Sequence, residues 1–199
     1  MNDNMRLVDK AIKLAVQKHE GQYRKGLAIP YVSHCFDVMK RAREYGIATE
    51  NVLTAAMLHD TVEDTDLTLN EIEKLFNREV RDIVEELTMP EDIRGFINKF
   101  NYLKSFEDKS FEAVVLKFAD RCCNVDDYLL VPKDRKYAIK YALQAYPVYQ
   151  ALYERFPAYQ NEEVLGDLED TRLMIEQEYG IDIKNTTEEE VKAALKIRK

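Results

Sequence analysis

Glu50-Asn51-Val52-Leu53-Thr54-Ala55-Ala56-Met57-Leu58-His59-Asp60-Thr61-Val62-Glu63-Asp64-Thr65 is the stretch on which the reading of this chain turns. Its first half sets Val52, Leu53, Ala56, Met57 and Leu58 in an apolar helical pattern, with Thr49 in the N-cap position. Its second half holds His59, Asp60, Glu63 and Asp64. Continued as helix, it puts Glu63 one turn beyond His59 and Asp64 one turn beyond Asp60, each pair on one face. Three carboxylates and an imidazole packed so closely repel one another unless a positive charge sits among them. A divalent metal is the simplest candidate.

Outward from this segment the pattern stays helical. Residues 5–19 carry an apolar stripe of Leu7, Val8, Ala11, Ile12, Ala15 and Val16. A polar loop leads to Pro30, and a second helix is expected over residues 31–45, closed by Gly46. Thr68-Leu69-Asn70-Glu71 is a capping box that opens a new helix, and another is expected over 80–87. Residues 90–110 are mixed and charged and read as a loop with a short helix near 100–106. A strongly apolar helix is expected over 111–127 and a tyrosine-rich one over 133–153, kinked at Pro147. Further helices are expected over 167–179, ending at Gly180, and over 187–198. Strand patterns are scarce. The expectation is an all-α helical bundle, with one domain over residues 1–157 and a helical extension over 158–199 packed on it.

The 199 residues carry a formal net charge of -8, which argues against DNA, RNA or a membrane surface as a general partner. An anionic small molecule stays open, because a bound cation or a local patch can reverse the field within one cleft. No apolar run approaches the roughly 20 residues of a membrane span. The first residues lack the basic and apolar regions of a secretory signal, so a cytoplasmic protein is expected. Cys35 and the adjacent Cys122 and Cys123 form no metal-type spacing and read as reduced thiols.

Two other stretches set polar groups beside apolar sequence. One is Tyr31-Val32-Ser33-His34. The other is Lys117-Phe118-Ala119-Asp120-Arg121-Cys122-Cys123-Asn124, inside the most apolar helix. A carboxylate there needs a partner, since burying it alone is costly. Asp120 is either a structural salt-bridge partner of Arg121 or Lys117, or a ligand. Collected, His34, His59, Asp60 and Asp120 make a borderline-to-hard donor set suited to Mn, Fe, Co or Zn, with room left for water and substrate. Glu63 and Asp64 then stand where they could orient or deprotonate that water. The third histidine, His19, reads as structural or surface.

On these stretches, with His19-Glu20-Gly21-Gln22-Tyr23-Arg24-Lys25 and Pro30-Tyr31-Val32-Ser33-His34, the chain resembles the HD-domain metal-dependent phosphohydrolases. Within them it looks most like the hydrolase domain of the RelA/SpoT family, including single-domain small alarmone hydrolases and the metazoan SpoT homologue. The Glu63-Asp64-Thr65 extension of the motif is the most specific match. The resemblance implies an Mn2+-dependent enzyme that removes pyrophosphate from the 3′ position of (p)ppGpp. It implies that His34, His59, Asp60 and Asp120 hold the metal and that Glu63 and Asp64 handle the water. Arg24, Lys25, Asn124 and, on helical pattern alone, Tyr141 would contact the guanine nucleotide. No synthetase segment is seen, so degradation and not synthesis is expected.

Three departures bear on the substrate. Cys35 replaces a usual proline. Val125-Asp126-Asp127 replaces a segment that usually carries a basic residue. The lysine usual after Leu87-Thr88 is missing, leaving Lys99, Lys104 or Lys109 to substitute. These motivate an alternative, an HD phosphatase of another nucleotide such as NADPH or a nucleoside phosphate. A non-catalytic metal-binding or nucleotide-sensing module, or a helical interaction protein, is the contrasting class.

Overall fold

The computed structural model describes residues 6–130, 135–180 and 193. Their elements are α1 (Leu7–Lys18), α2 (Val32–Glu44), α3 (Glu50–Leu58), α4 (Thr61–Asp64), α5 (Leu69–Leu75), α6 (Arg78–Leu87), α7 (Phe96–Lys104), a 3₁₀ turn (Ser105–Asp108), α8 (Phe111–Leu129), α9 (Arg135–Arg155) and α10 (Glu162–Tyr179). Extended pairing among the described residues is limited to one isolated bridge, Tyr23 with Pro30. The fold is all-α, as the periodicity predicts. No helix among the described residues is long and apolar enough to cross a membrane.

The helix ends follow from local chemistry. Thr49 Oγ1 accepts from the Val52 N–H at 3.3 Å to open α3. At the start of α5 the Thr68 hydroxyl accepts from the Glu71 N–H while the Glu71 carboxylate accepts from the Thr68 N–H, which completes the capping box. α2 closes on Gly46 at φ 78°. The Gly46 N–H bonds the Arg43 carbonyl and the Ile47 N–H the Ala42 carbonyl, a double closure that needs a left-handed residue at this point.

Several boundaries differ from expectation. Asn77 caps the Val80 N–H at 2.9 Å, so α6 begins at Arg78. Asn161 accepts from the Glu163 and Val164 N–H groups, so α10 begins at Glu162 and not at Asp167. The segment read mostly as loop holds α7 from Phe96, entered through Gly95 at φ 79°. Pro147 lies inside α9. The helix expected over 187–198 lies outside the described residues.

Two helices form the centre. Every residue of α3 from Val52 to Leu58 is buried. In α8, Ala113, Val114, Val115, Leu116, Phe118 and Ala119 are at most 1% exposed. A helix apolar on all sides can only be an interior one. α8 packs against α9, α2 and α6, and α3 against α1, α2 and α6. Tyr45 stacks on Phe118 with centroids 6.0 Å apart.

α10 lies on α9. Val164 joins the same apolar core. The Tyr45 hydroxyl donates to Asp167, and the Tyr159 hydroxyl to the Tyr45 carbonyl.

Candidate active site

The decisive segment does not run on as one helix. α3 stops at Leu58, because the His59 ring Nδ1 takes the Ala56 carbonyl at 2.8 Å and the Thr61 hydroxyl takes the Leu58 carbonyl at 2.6 Å. Asp60 sits at φ -100°, ψ -3°, and a short α4 follows. The expected continuous helix is therefore corrected, although Asp60, Glu63 and Asp64 still line one cavity. His59 and Asp60 turn toward α2 and α8. Glu63 Oε1 accepts from the Met89 N–H at 2.6 Å. Asp64 stays near Tyr31.

His34 comes from the first turn of α2, His59 and Asp60 from the α3–α4 junction, and Asp120 from the middle of α8. Ligand atoms of His34, His59 and Asp120 lie within 4.8 Å of one another, and all three residues are buried. His34 Nε2 is 3.1 Å from Asp120 Oδ1 and 3.7 Å from Asp60 Oδ2. His59 Nε2 is 3.0 Å from Asp60 Oδ2 and 4.0 Å from Asp120 Oδ1. Asp60 thus reaches both imidazoles.

Whether this set fits a metal turns on His59. Its Nδ1 donates to a carbonyl, which leaves the Nε2 lone pair facing the cluster. That nitrogen is buried and makes no hydrogen bond of proper geometry. A bare imidazole nitrogen aimed at two carboxylates is the arrangement a divalent cation satisfies. The residues fit.

Electrostatics around the cluster are asymmetric. Asp120 directs Oδ2 to Arg121 Nη2 at 2.7 Å and to Lys117 Nζ at 3.3 Å, leaving Oδ1 for the histidines and for Asn124 Nδ2. Burial alone would raise this carboxyl, but Arg121 and then Lys117 hold it well below the ordinary range. Asp120 is thus an ion-pair partner of both Arg121 and Lys117, and its Oδ1 still faces His34. Glu63 goes the other way: burial raises its carboxyl, against the pull of Lys117. Burial and then the Asp60 charge raise Asp64.

The cluster opens on a cavity of about 220 Å³ lined by Glu63, Asp64, Lys99, Tyr102, Lys117 and Arg121 among others. A second cavity of about 180 Å³ shares Tyr31, Asn124 and Tyr141 with the first and adds Tyr23, Arg24, Lys25 and Asp127. All four expected substrate contacts, Arg24, Lys25, Asn124 and Tyr141, line this second lobe. Arg24 is only 8% exposed. Its Nε donates to Asp127 Oδ2 at 2.5 Å, its Nη2 to Asn124 Oδ1 at 3.0 Å, and its guanidinium lies 5.2 Å from the Tyr31 ring centre. A larger cavity, about 570 Å³ between α9 and α10, contains none of these groups.

The departures from the resembled pattern resolve here. Asp127 pairs with Arg24, and Asp126 with Arg41 at 2.8 Å, so neither adds an uncompensated charge to the pocket. Of the three substitute lysines, Lys99 lines the first cavity, while Lys104 sits over the Phe100 ring. Sequence reasoning assigned no site role to Tyr31 or Tyr102. Tyr31 donates to Asp60 Oδ2 at 2.5 Å. Tyrosine is common in this chain, and only the fold brings these two to the pocket.

Fold and site together define an all-helical domain built around a buried His–His–Asp cluster whose atoms could hold a metal ion. The family model described as HD domain matches residues 11–157, and the chain belongs to that family. It is 37% identical over 129 residues to the guanosine-3′,5′-bis(diphosphate) 3′-pyrophosphohydrolase MESH1 of Xenopus tropicalis, covering 64% of this chain and 72% of the relative. Identity to the Homo sapiens protein of the same name is 38%, over 59% of this chain and 67% of the relative. A solved structure, reported as a metazoan orthologue of SpoT that hydrolyses ppGpp and plays a role in starvation responses, superposes with a TM-score of 0.73. It is 27% identical, with 86% of this chain and 96% of that one covered.

Proposed function

We propose that this chain is a metal-dependent pyrophosphohydrolase of (p)ppGpp, with Mn2+ as its metal. The observation that carries the proposal is the position of the buried His34–His59–Asp120 cluster. Through Asp120 it borders a cavity where Lys99, Lys117 and Arg121 face Asp60, Glu63 and Asp64, and that cavity shares Tyr31, Asn124 and Tyr141 with the Arg24 lobe. The relatives named for this reaction support the substrate. A divalent metal at this cluster supplies a Lewis acid for the phosphate charge and lowers the pKa of water.

The chain's own residues do the rest. Tyr31 fixes the Asp60 carboxylate, and Arg121 with Lys117 fixes Asp120. Glu63, its carboxyl raised by burial, is suited to accept a proton from the attacking water near neutral pH. Lys99 lines the same lobe and offers an ammonium to the leaving pyrophosphate. Arg24, its guanidinium over the Tyr31 ring, lines the second lobe and offers a planar cation to a purine base. The phosphorus–oxygen bond to the ribose 3′ oxygen breaks, giving pyrophosphate and GDP or GTP. The charge argument for a different nucleotide falls away, because Asp126 and Asp127 are both paired.

The test is pyrophosphate release from ppGpp with added Mn2+, run beside NADPH and nucleoside monophosphates. Turnover of ppGpp ahead of the others supports the reading. A metal-loaded protein that leaves ppGpp intact overturns it.

A further inference from the structure

His19 ends α1 and belongs neither to the metal set nor to the nucleotide contacts. It is nevertheless 2% exposed and touches two parts of the site at once. Its Nδ1 lies 2.8 Å from Gln22 Oε1, and Gln22 Nε2 donates to the Asp64 carbonyl at 2.9 Å. A carbonyl only accepts, so the amide nitrogen of Gln22 faces Asp64 and its oxygen faces His19. His19 Nδ1 therefore carries the proton in this link. The ring also lies against Tyr31, centroids 4.9 Å apart, and Tyr31 in turn holds Asp60. Nearby, Lys18 Nζ meets Asp66 at 2.6 Å, a second tie between the end of α1 and the end of α4. His19 Nε2 is buried with no hydrogen-bond partner. A residue that only filled this space would be better as an apolar ring, which strands no nitrogen. What distinguishes histidine here is the Nδ1 donor.

We propose that His19 is a positioning residue for Asp64. Through Gln22 it fixes the backbone of the water-handling carboxylate, and through Tyr31 it steadies Asp60. The proposal rests on the hydrolase reading only for what Asp64 does, not for how it is held.

His19→Phe keeps the ring on Tyr31 and removes the donor, whereas His19→Asn restores a donor near Nδ1 without the ring. His19→Phe is expected to lower kcat about 10–100-fold with KM within about threefold, the range for outer partners of site groups. Mn2+ affinity by calorimetry is expected to hold, and His19→Asn to recover most of the rate. Amide hydrogen exchange over residues 60–66, which needs no substrate, rises in His19→Phe and falls back in His19→Asn. Gln22→Met breaks the same link at a partly exposed position and gives the same pattern if His19→Phe does not fold. Unchanged exchange and kcat in His19→Phe, or equal losses in His19→Phe and His19→Asn, overturn the proposal. A wild-type chain that releases no pyrophosphate from ppGpp overturns the substrate instead, and the exchange comparison still decides His19.

Discussion

Asp120 lies in the most apolar helix of the chain because both of its oxygens have partners. Oδ2 is neutralised by Arg121 and Lys117, and Oδ1 faces the histidines and Asn124. Neighbours in sequence made those partners visible in advance, whereas the distribution between the two oxygens was not. Glu63 is the residue with the sharpest prediction. Glu63→Gln is expected to cost about 10²–10⁴ in kcat while leaving Mn2+ binding intact, measured by steady-state kinetics and metal titration. The pH profile follows from the direction of its shift. A base works deprotonated, and burial raises this carboxyl, so the rate should climb with pH through a value above the ordinary glutamate range. Glu63→Gln removes that limb. Arg24→Ala should act on binding instead: KM for ppGpp rises about tenfold or more, equivalent to about 1.4 kcal/mol, with kcat less affected.

Elements were read from periodicity and caps, and they were read best where a side chain closes its own helix. Thr49, the Thr68–Glu71 box, Gly46 and Gly180 all act as expected. Asn77 and Asn161 are also caps, but asparagine suits turns equally well, so sequence left these starts open. The break after Leu58 matters most for chemistry. A continuous helix would have kept Glu63 beneath His59. The Thr61 and His59 bonds to carbonyls of the last turn of α3 end it at Leu58 and re-aim the residues that follow. α3 should in turn depend on its N-cap. Thr49→Ala is expected to cost about 1 kcal/mol. That corresponds to a fall of about 2–4 °C in Tm by calorimetry, with kcat unchanged.

At the scale of the whole molecule, the proposed metal set is drawn from α2, the α3–α4 junction and α8, so it is assembled only when the chain is folded. Mn2+ at about 100 times its Kd should therefore stabilise the fold by about 2.7 kcal/mol, and EDTA should reverse the rise in Tm. We infer that α10 is part of the same folding unit, since Val164 enters the core and Asp167 meets Tyr45 and Arg41. Removing residues 158–199 should lower Tm or solubility, not leave an independent 1–157 domain, and thermal unfolding of that truncation checks it. The sequence by itself determined the helical class, the four metal-capable residues and the Glu63–Asp64 pair, because periodicity and residue type are local properties. Tertiary structure decided which groups meet: Asp127 on Arg24, Tyr31 on Asp60, Lys99 in the cavity, and His19 reaching Asp64 through Gln22. Those contacts depend on how separate segments pack, and packing is set by the whole core at once, not by any one segment's pattern.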